Sequence, residues 1–518
     1  MSTKKIIFYK LFKKVAKMEN ICYNLPYKKE TKMENNENQI TNEFESRKEK
    51  LKNLRAEEIA YKEKFEPTCS IEEALTKEDG TKVKLCGRII GRRGFGKLMF
   101  CDLFDAYGKI QIELTLNNLG ERFDFIKKYM DVGDFAGVEG ELFHTKVGEL
   151  TVRVEKFELL SKAIRPLAEK FHGVVDDDIR YRQRYLDIIA NEKTRETLKT
   201  RLKVFALLRQ FMNDHGFVEV ETPILQTVAS GAAAKPFITK HNALNKEMYL
   251  RIAPELALKE IIACGFNKVY EIGKNFRNEG MDPSHLQEFS VIEWYAAYWN
   301  FEDNIKYVIE LFQYLIQNVK GSLKFEYQGQ TFDFSDIKRL DYIAEMNKIV
   351  GANILDLTNL DEFKKLVKAK NIMNNDEVDA AKSIPALIDL VFKRTLRPTL
   401  IQPVVVYNYP ACLVPLARRN DKDNRIIDMF QFVVNGWEML KAYSELVDPI
   451  TQREAFEEQA RNKNSGDEEA FDFDEDFLLC MEHGMPPISG LGIGLDRLIA
   501  MLTDNETLRE VIFFPIVK

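Results

Sequence analysis

Five segments between residues 82 and 161 alternate apolar and polar side chains, with the period of two that is typical of a half-buried β-strand. They read KVKLCGRII, KLMFCDLF, KIQIELTL, DFAGVEGELF and ELTVRVEKFELL, and a short helical pattern near 121–130 separates the third from the fourth. Because five strands with a helix after the third suit a small Greek-key barrel, this region constrains the fold more than any other. Such barrels bind oligonucleotides in some proteins and serve as plain spacers in others, and both interpretations stay open here.

The composition describes a chain of two or three domains. Its 518 residues are too many for one ordinary core, and 45% hydrophobic with 30% charged residues is typical of a globular protein. No apolar run approaches the roughly 18 residues of a membrane span, so no stable membrane association is expected. The seven cysteines include no C-x-x-C pair, which favours reduced thiols and a cytoplasmic location.

The N-terminal region is basic. Residues 1–32 carry nine lysines against two glutamates, and residues 4–17, KKIIFYKLFKKVAK, predict an amphipathic helix. This helix could bind RNA or a membrane surface, or act as a transit peptide, while Met33 offers a second start of translation. Residues 42–65 predict a long charged helix on a surface. We therefore expect an extension and this helix to make up residues 1–65.

The remainder of the chain predicts a different architecture. A helical stretch covers 193–215, and mostly helical patterns over about 321–400 resemble an insertion. Strands are expected in FVEVETP, KVYEIGKNF and QEFSVIEWYAAY, and around 402–407 and 429–447. Since these strands do not follow a β-α-β order, they predict an α+β domain over 166–518, with helices against an antiparallel sheet. The preceding barrel domain is expected to span 66–165.

Charged and aromatic residues share faces of these strands. The alternate positions are Phe289, Val291, Glu293 and Tyr295; Asn275, Arg277 and Glu279; and Lys441, Tyr443 and Glu445. A purely structural sheet would carry valine and leucine there, so the set indicates the floor of a site for a charged ligand. Arg497 follows the glycine run GLGIGL, which fits neither a dinucleotide fingerprint nor a P-loop.

Several motifs, in order, resemble those of class II aminoacyl-tRNA synthetases. FRNEGMDPSHLQEF (276–289) is similar to motif 2, GLGIGLDRL to motif 3, and the helix before FVEVETP, together with that strand, to motif 1. ETPILQTVASGAAAKPF, YLRIAPEL, VPLARRND, AYSELVDP and RYRQRYLD resemble lysyl-tRNA synthetases in particular. The resemblance implies an OB-fold anticodon-binding barrel before an antiparallel-sheet catalytic domain. It also implies a homodimer that activates L-lysine with ATP and passes it from lysyl-adenylate to the 3′ end of tRNA(Lys).

The resemblance assigns roles at the nucleotide end of the site. Its catalytic residues correspond to Arg277, Arg497 and Glu438, and its ATP-binding set to Arg277, Glu279, His285, Phe289, Glu438 and Arg497. Arg497 would cover adenine and reach the γ-phosphate, with Phe289 on the other face of the base. Arg277 would hold the α-phosphate and the amino acid carboxylate, and the glycine run would let the backbone approach the nucleotide.

The lysine-binding set that the resemblance implies is Gly231, Glu255, Arg277, Glu293, Tyr295, Lys441, Tyr443 and Glu445. A buried ammonium group is costly unless it is paired, so Glu445 is the expected partner of the substrate side chain. Tyr295 would lie beside it and Tyr443 would wall the stem, while Gly231, Glu255 and Glu293 would hold the α-amino end. Lys441 stands where the family usually has asparagine.

Two further sites follow from the same resemblance. Mg²⁺ is expected to bridge the phosphates of ATP, with Glu438 and Gln431 as its protein ligands. Gln431 departs from the acid that the family usually has, so one metal ion would be held more weakly. On the barrel, Phe100, Gln111 and Glu149 match positions that bind the central anticodon base.

Two alternatives remain beside a lysine-specific enzyme. A sister synthetase for aspartate or asparagine would share the barrel and the core. An acidic substrate needs a cation at the end of the pocket, where Glu445 stands, but Lys441 keeps this alternative open. A non-catalytic RNA-binding derivative of a synthetase is the other, and the presence of Arg277, Glu438 and Arg497 argues against it.

Overall fold

The computed structural model describes residues 33–167, 176–232, 234–280, 282–414, 417–464 and 474–517. The basic helix expected over 4–17 lies outside these residues. The chain divides into two compact units, one within residues 1–173 and the other within 174–518. Among the described residues, no helix is long and apolar enough to cross a membrane.

The first unit is built on a closed five-stranded barrel. Its elements are α1 (Met33–Glu57), α2 (Ile71–Ala74), β1 (Lys82–Phe95), β2 (Leu98–Phe104), β3 (Lys109–Thr115), α3 (Leu116–Leu119), α4 (Glu121–Tyr129), β4 (Phe135–His144) and β5 (Leu150–Ser161). The strand order is β1-β2-β3-β5-β4, and the parallel pairing of β3 with β5 closes the barrel. The five expected strands and the helix after the third are confirmed.

Helix α1 differs from the surface helix that was expected over 42–65. It ends at Glu57, and it buries Leu51 and Leu54 against the apolar core of the barrel. Arg47, with 4% of its surface exposed, donates to the backbone oxygen of Val132 at 2.9 Å. One stripe of this charged helix is therefore packed, because its few apolar residues fall on the same side.

The second unit contains a mixed set of strands and helices. Its first half comprises α5 (Asp177–Arg182), α6 (Arg184–Ala190), α7 (Glu192–Asp214), β6 (Val218–Glu219), β7 (Leu225–Gln226), β8 (Ile238–His241), β9 (Lys246–Leu250), α8 (Glu255–Ala263), β10 (Lys268–Phe276), β11 (Glu288–Ala297) and α9 (Phe301–Lys320). Its second half comprises β12 (Lys324–Tyr327), β13 (Gln330–Asp333), β14 (Lys338–Asp341), α10 (Tyr342–Val350), α11 (Leu360–Ala369), α12 (Asn375–Ala380), α13 (Ile384–Arg394), β15 (Val404–Pro410), β16 (Ile426–Val434), β17 (Trp437–Ser444), α14 (Pro449–Asn464), α15 (Glu475–Glu482), β18 (Ile488–Gly494) and α16 (Leu495–Leu502).

One eight-stranded sheet organises this unit, in the order β14-β15-β16-β17-β18-β11-β10-β6. The six central strands are antiparallel to one another. The two edge strands, β14 and β6, pair in parallel with β15 and β10. One face packs on α7, α9 and α16 through the largest apolar core, in which Trp294 is fully buried. The architecture is the α+β class that the strand order predicts.

Two local expectations need correction. The segment 321–400, expected to be helical, begins with the hairpin β12–β13 and with β14, which joins the large sheet. Its turn has left-handed backbone at Gln328 and Gly329, which suits a tight connection between strands. The expected strand in FVEVETP is reduced to the two residues of β6, since only these pair with β10.

Candidate functional site

The floor of the candidate site is formed by β17, β18 and β11 of the large sheet. Two rows of directly paired residues cross these strands: Lys441, Gly492 and Glu293 in one row, and Tyr443, Gly490 and Tyr295 in the other. Directly paired residues point to the same face of a sheet, so each row has a glycine between two long side chains. The register therefore places Lys441 and Tyr443 of β17 on the same face of the sheet as Glu293 and Tyr295 of β11.

The glycines of β18 make room for the side chains of β11. A Cβ atom on Gly490 would lie 2.2 Å from Cδ1 of Tyr295, and one on Gly492 would lie 3.4 Å from Oε2 of Glu293. Contact at 2.2 Å is sterically impossible, so Tyr295 can occupy its position only beside a glycine. Gly494, the last residue of the run, leaves open space within 4 Å. Packing within the protein therefore already requires glycine in this run, before any contact with a ligand is considered.

A cavity of about 630 Å³ lies above this floor. Fourteen residues were predicted to bind lysine, ATP or a metal ion, and thirteen of them line this cavity. They are Gly231, Glu255, Arg277, Glu279, His285, Phe289, Glu293, Tyr295, Glu438, Lys441, Tyr443, Glu445 and Arg497. The exception is Gln431. Gly231 reaches the cavity with φ +90°, a conformation that favours glycine, and a Cβ atom there would lie 3.4 Å from the Cβ atoms of Ala253 and Glu255.

One end of the cavity is rich in buried carboxylates. Glu293 is 7% exposed and Glu445 is 3% exposed, and Glu255 begins α8 beside them. Burial, with the charge of Glu255 as the next cause, raises the pKa of Glu293 to about 8, although the Tyr295 hydroxyl donates to its Oε1 at 3.1 Å. Among the described residues, no cation lies within 4 Å of the Glu293 carboxylate. This end of the cavity is therefore suited to a cationic ligand.

The cation that is present at this end is Lys259, which was not among the predicted site residues. Its Nζ lies 2.6 Å from Oε1 of Glu255 and 2.7 Å from Oε2 of Glu445. Burial alone would lower the pKa of Lys259, but the two carboxylates outweigh it and hold the pKa above its usual range. The available sequence signal was the spacing, because Lys259 stands one helical turn after Glu255 in PELALKEII.

Arg277 provides a half-buried cation for an anionic group. Its guanidinium carbon lies 5.1 Å from the centre of the Phe289 ring, and burial lowers its pKa. Its buried Nε has no hydrogen-bond partner among the described residues, and the same holds for Oδ1 of its neighbour Asn275. A buried donor without a partner is costly, so the site is built to receive an acceptor from a ligand.

Arg497 lies over the other end of the cavity. Its Nη1 donates to the backbone oxygen of Glu438 at 3.3 Å, and its Nη2 is 3.5 Å from Nε2 of His285. Nδ1 of His285 lies 2.8 Å from Oδ2 of Asp282, so this imidazole joins an acid to Arg497. Two arginines and a histidine therefore line this part of the cavity, alongside the side chains of Glu279 and Glu438, and they suit a polyanion.

Asp496, next to Arg497, was also missed by the sequence analysis. It is 2% exposed, it accepts from Nη1 of Arg201 at 2.6 Å, and it accepts from the backbone N–H of Ser290 at 2.9 Å. These contacts tie the start of α16 to α7 and β11, which fixes the backbone that carries Arg497. The signal was an acid inside the apolar run LDRLIAML, which requires a buried partner.

Gln431 lies outside the residues that line the cavity. It is paired with Lys441 on the neighbouring strand, and its Oε1 accepts a hydrogen bond from the Tyr409 hydroxyl at 2.8 Å. Among the described residues, no group of three or more His, Cys, Asp or Glu side chains could hold a metal ion. Of the two predicted metal ligands, only Glu438 borders the cavity.

A second candidate surface lies on the outside of the barrel. Phe100 is half-buried and does not belong to the apolar core of the barrel, and its strand neighbours are Arg93 and Glu113. Nε2 of Gln111 donates to Oε2 of Glu149 at 2.7 Å. Gln111 is 6% exposed and its Oε1 also accepts from the Thr151 hydroxyl at 3.0 Å, whereas Glu149 is exposed. A half-buried ring beside hydrogen-bonding groups suits an unpaired base.

Comparisons with known families agree with this division of the chain. Residues 176–518 match the family described as tRNA synthetases class II (D, K and N). Residues 83–160, which cover the barrel, match the family described as OB-fold nucleic acid binding domain.

Curated relatives match over most of the chain. A lysine–tRNA ligase of Aquifex aeolicus is 44% identical over 86% of this chain and 78% of its own length. A lysine–tRNA ligase of Pectobacterium carotovorum is 41% identical over 92% of this chain and 97% of its own length. One from Clostridium perfringens is 40% identical, covering 93% of this chain and 97% of its own length.

Proposed function

The chain belongs to the tRNA synthetases class II (D, K and N), and we propose that within this family it ligates L-lysine to tRNA(Lys). The observation that carries the choice of amino acid is the carboxylate cluster formed by the buried Glu293 and Glu445 and the half-buried Glu255. Aspartate and asparagine have no cationic side chain to offer such a cluster, whereas lysine has an ammonium group at each end of its stem.

The reaction has two steps and needs no covalent nucleophile from the protein. A carboxylate oxygen of lysine attacks the α-phosphorus of ATP, and the bond to pyrophosphate breaks. The 3′-terminal ribose hydroxyl of the tRNA then attacks the carbonyl carbon of lysyl-adenylate, and AMP leaves. Catalysis in such a reaction comes from positioning and from stabilising charge, which arginines in a buried cavity supply.

We assign Arg277 to the point where the two substrates meet. A planar guanidinium can donate to two oxyanions at once, so Arg277 would hold the lysine carboxylate and the α-phosphate together. Its unpaired buried Nε supports this assignment. Phe289, which already packs against Arg277, would carry the adenine ring.

The remaining nucleotide contacts are assigned to the polyanion end of the cavity. Arg497 and His285 would meet the γ-phosphate, and Arg497 would also cover the second face of adenine. Glu279 would accept from the adenine edge. These roles rest on the family resemblance together with the position of each side chain on the cavity wall.

Mg²⁺ fits this site through one protein carboxylate. Glu438 borders the cavity, and Mg²⁺ is commonly held by one or two carboxylates plus substrate phosphates. Gln431 does not fit as a ligand, because its oxygen accepts from Tyr409 away from the cavity lining. When bound, the ion would neutralise phosphate charge, and Glu438 is the residue we expect to hold it.

We assign anticodon reading to the barrel and assembly to the second unit. Phe100 would stack on a base, while Gln111 and Glu149 would form hydrogen bonds with the edge of that base.

A homodimer is supported by exposed apolar side chains on α7 and on the segments after it, namely Leu202, Val218, Ile224, Leu225 and Ile238. A cytoplasmic location is supported by the free cysteines of the described residues.

Pyrophosphate exchange with ATP across a panel of amino acids tests the proposal. Exchange that depends on lysine, followed by charging of tRNA(Lys), is the expected result. Exchange with aspartate or asparagine would identify a sister synthetase. Absence of exchange with any amino acid would favour a non-catalytic RNA-binding protein.

A further inference from the structure

Lys259 occupies the centre of the carboxylate end of the cavity. Its ammonium group contacts Glu255 on its own helix and Glu445 beyond the end of β17, at 2.6 and 2.7 Å. Its Nζ also lies 5.5 Å from the centre of the Tyr295 ring, and its side chain is 8% exposed. The lysine is therefore held from three sides and closed off from solvent.

The charges at this end do not balance without a ligand. Among the described residues, Lys259 is the cation in contact with the carboxylates of this end, through Glu255 and Glu445. The exposed Lys441 lies on the same sheet row as Glu293, but Gly492 stands between them. The three carboxylates are Glu255, Glu293 and Glu445. With all three acids ionised, the cluster carries two negative charges in excess. Buried charge of this kind is costly unless it is compensated. In the empty cavity a proton on Glu293 offsets one of the two charges, because burial raises the pKa of this carboxyl to about 8, and the fully ionised cluster requires two positive charges from a ligand.

Lysine supplies the missing charges. Its α-ammonium and ε-ammonium groups bring two positive charges, and its carboxylate would be compensated separately by Arg277. The three carboxylates would then face three ammonium groups, of which one belongs to the protein. An α-amino acid with a neutral side chain would leave one carboxylate unpaired.

We propose that Lys259 is a specificity-determining positioning residue. It holds Glu255 and Glu445 in place and sets the charge of the pocket, so that only an amino acid with two ammonium groups completes it. This inference rests on the proposed lysine ligase function and adds a residue to it. Lys259 stays in the pocket when substrate binds, because it is anchored to Glu255 one turn away on the same helix.

The alternative role for Lys259 is to occupy the binding position of the substrate ammonium group in the empty enzyme. In that case its ammonium group would occupy the place of the substrate ammonium at Glu445 and would have to leave before lysine binds. The two roles predict opposite effects of removing the charge. Loss of a fixed cation weakens lysine binding, whereas loss of a competing one strengthens it.

The test compares Lys259→Met and Lys259→Arg with the wild-type enzyme in lysine-dependent pyrophosphate exchange. Methionine keeps much of the length and removes the charge, while arginine keeps the charge. We expect Lys259→Met to raise the KM for lysine about tenfold or more, with little change in the KM for ATP. Lys259→Arg should recover part of the loss.

Lys268→Met is the matched control. Lys268 is a partly buried lysine in the same unit, with Nζ 3.1 Å from the backbone oxygen of His215 and 5.1 Å from the centre of the Trp299 ring. It lies outside the cavity lining. Its replacement should leave the KM for lysine unchanged even if thermal stability falls.

A second arm separates a charge effect from a folding defect. Lys259→Ala leaves space in the pocket, and propylammonium chloride added to the assay should lower its KM for lysine severalfold. Propanol at the same concentration should not. A structural role alone would give no rescue by the cation.

Two results would overturn the proposal while leaving lysine ligation intact. One is an unchanged or lower KM for lysine in Lys259→Met. The other is equal rescue of Lys259→Ala by propylammonium and propanol. A wild-type enzyme without lysine-dependent exchange would instead refute the proposed function, and the role of Lys259 with it.

Discussion

The cavity of the second unit and the outer face of the barrel use similar side chains but differ in buried charge and in the exposure of the aromatic ring. Each combines an aromatic ring with carboxylate or amide groups, Tyr295 with Glu293 in the cavity and Phe100 with Gln111 on the barrel. In the cavity the charges are buried and exceed their internal partners. On the barrel the ring is half-buried and the polar groups bond to each other.

This difference predicts two kinds of selectivity. A buried excess of charge discriminates by the cost of leaving a group unpaired, which reaches several kcal/mol. A half-buried ring and paired polar groups discriminate by stacking and hydrogen bonding, worth about 1–3 kcal/mol per base. Substitutions in the cavity should therefore act on amino acid activation and have larger effects than substitutions on the barrel, which should act on tRNA alone.

The largest effect is expected from Arg277→Lys. A lysine keeps the charge but cannot donate to two oxyanions from a planar fork, so pyrophosphate exchange should fall about 100-fold or more. Steady-state exchange with saturating lysine and ATP measures it. Far-ultraviolet circular dichroism should be unchanged, and an exchange rate near that of the wild type would remove Arg277 from the reacting centre.

A pH dependence of lysine binding is expected for the cavity, because it contains a buried carboxyl group that titrates. Glu293 has a pKa of about 8 in the cavity, so its carboxyl is protonated near pH 7 and must ionise to pair with an incoming ammonium group. Lysine binding should then release a proton, and affinity should rise by up to about tenfold per pH unit until pH 8. The groups that face Glu293 are Glu255, Lys259, Arg277, Tyr295 and Glu445, together with Lys441 across Gly492 in the sheet.

Calorimetry in buffers of different ionisation enthalpy measures this proton release directly. Glu293→Gln is the control, because an amide cannot titrate, and its lysine affinity should lose most of the rise between pH 6 and pH 8. Binding by the wild type without proton exchange would show that Glu293 keeps the same protonation state in the empty and the occupied cavity, which contradicts the prediction.

The smallest effect is expected on the barrel. Phe100→Ala removes a half-buried ring that would stack on one base, so the KM for tRNA(Lys) should rise roughly fivefold, at the lower end of the range for a stacked base. Lysine-dependent pyrophosphate exchange should be unchanged. A parallel loss of exchange would mean that the ring supports the fold instead of contacting tRNA, and the separation of the two regions would fail.

The elements that follow a strict period were predictable from sequence. Alternation identified the barrel strands and the shared face of Glu293 and Tyr295, since the geometry of a strand determines which side chains point together. The hairpin of β12 and β13 carried the same signal in KFEYQGQTFDF, but the helical patterns around it obscured that signal.

Contacts between distant parts of the chain were not predictable. Lys259 belongs to the site only because α8 brings it to Glu445, and no local pattern records that meeting. Gln431 occupies the position of a family acid, but it is not among the residues that line the cavity, and its Oε1 accepts from the Tyr409 hydroxyl on β15. The need for glycine at position 490 likewise depends on the Tyr295 ring of a neighbouring strand.

The central claim is that a buried carboxylate recognises the lysine side chain by its charge, and Glu445→Gln tests it most directly. The measurement is the specificity constant for activation of lysine and of norleucine, a neutral analogue of similar length, by the wild type and the variant. Glutamine keeps the size of the side chain and removes the charge, so lysine should lose about tenfold or more while norleucine loses little. The preference for lysine should therefore narrow, with the KM for ATP nearly unchanged. An unaltered ratio between the two amino acids would contradict the account.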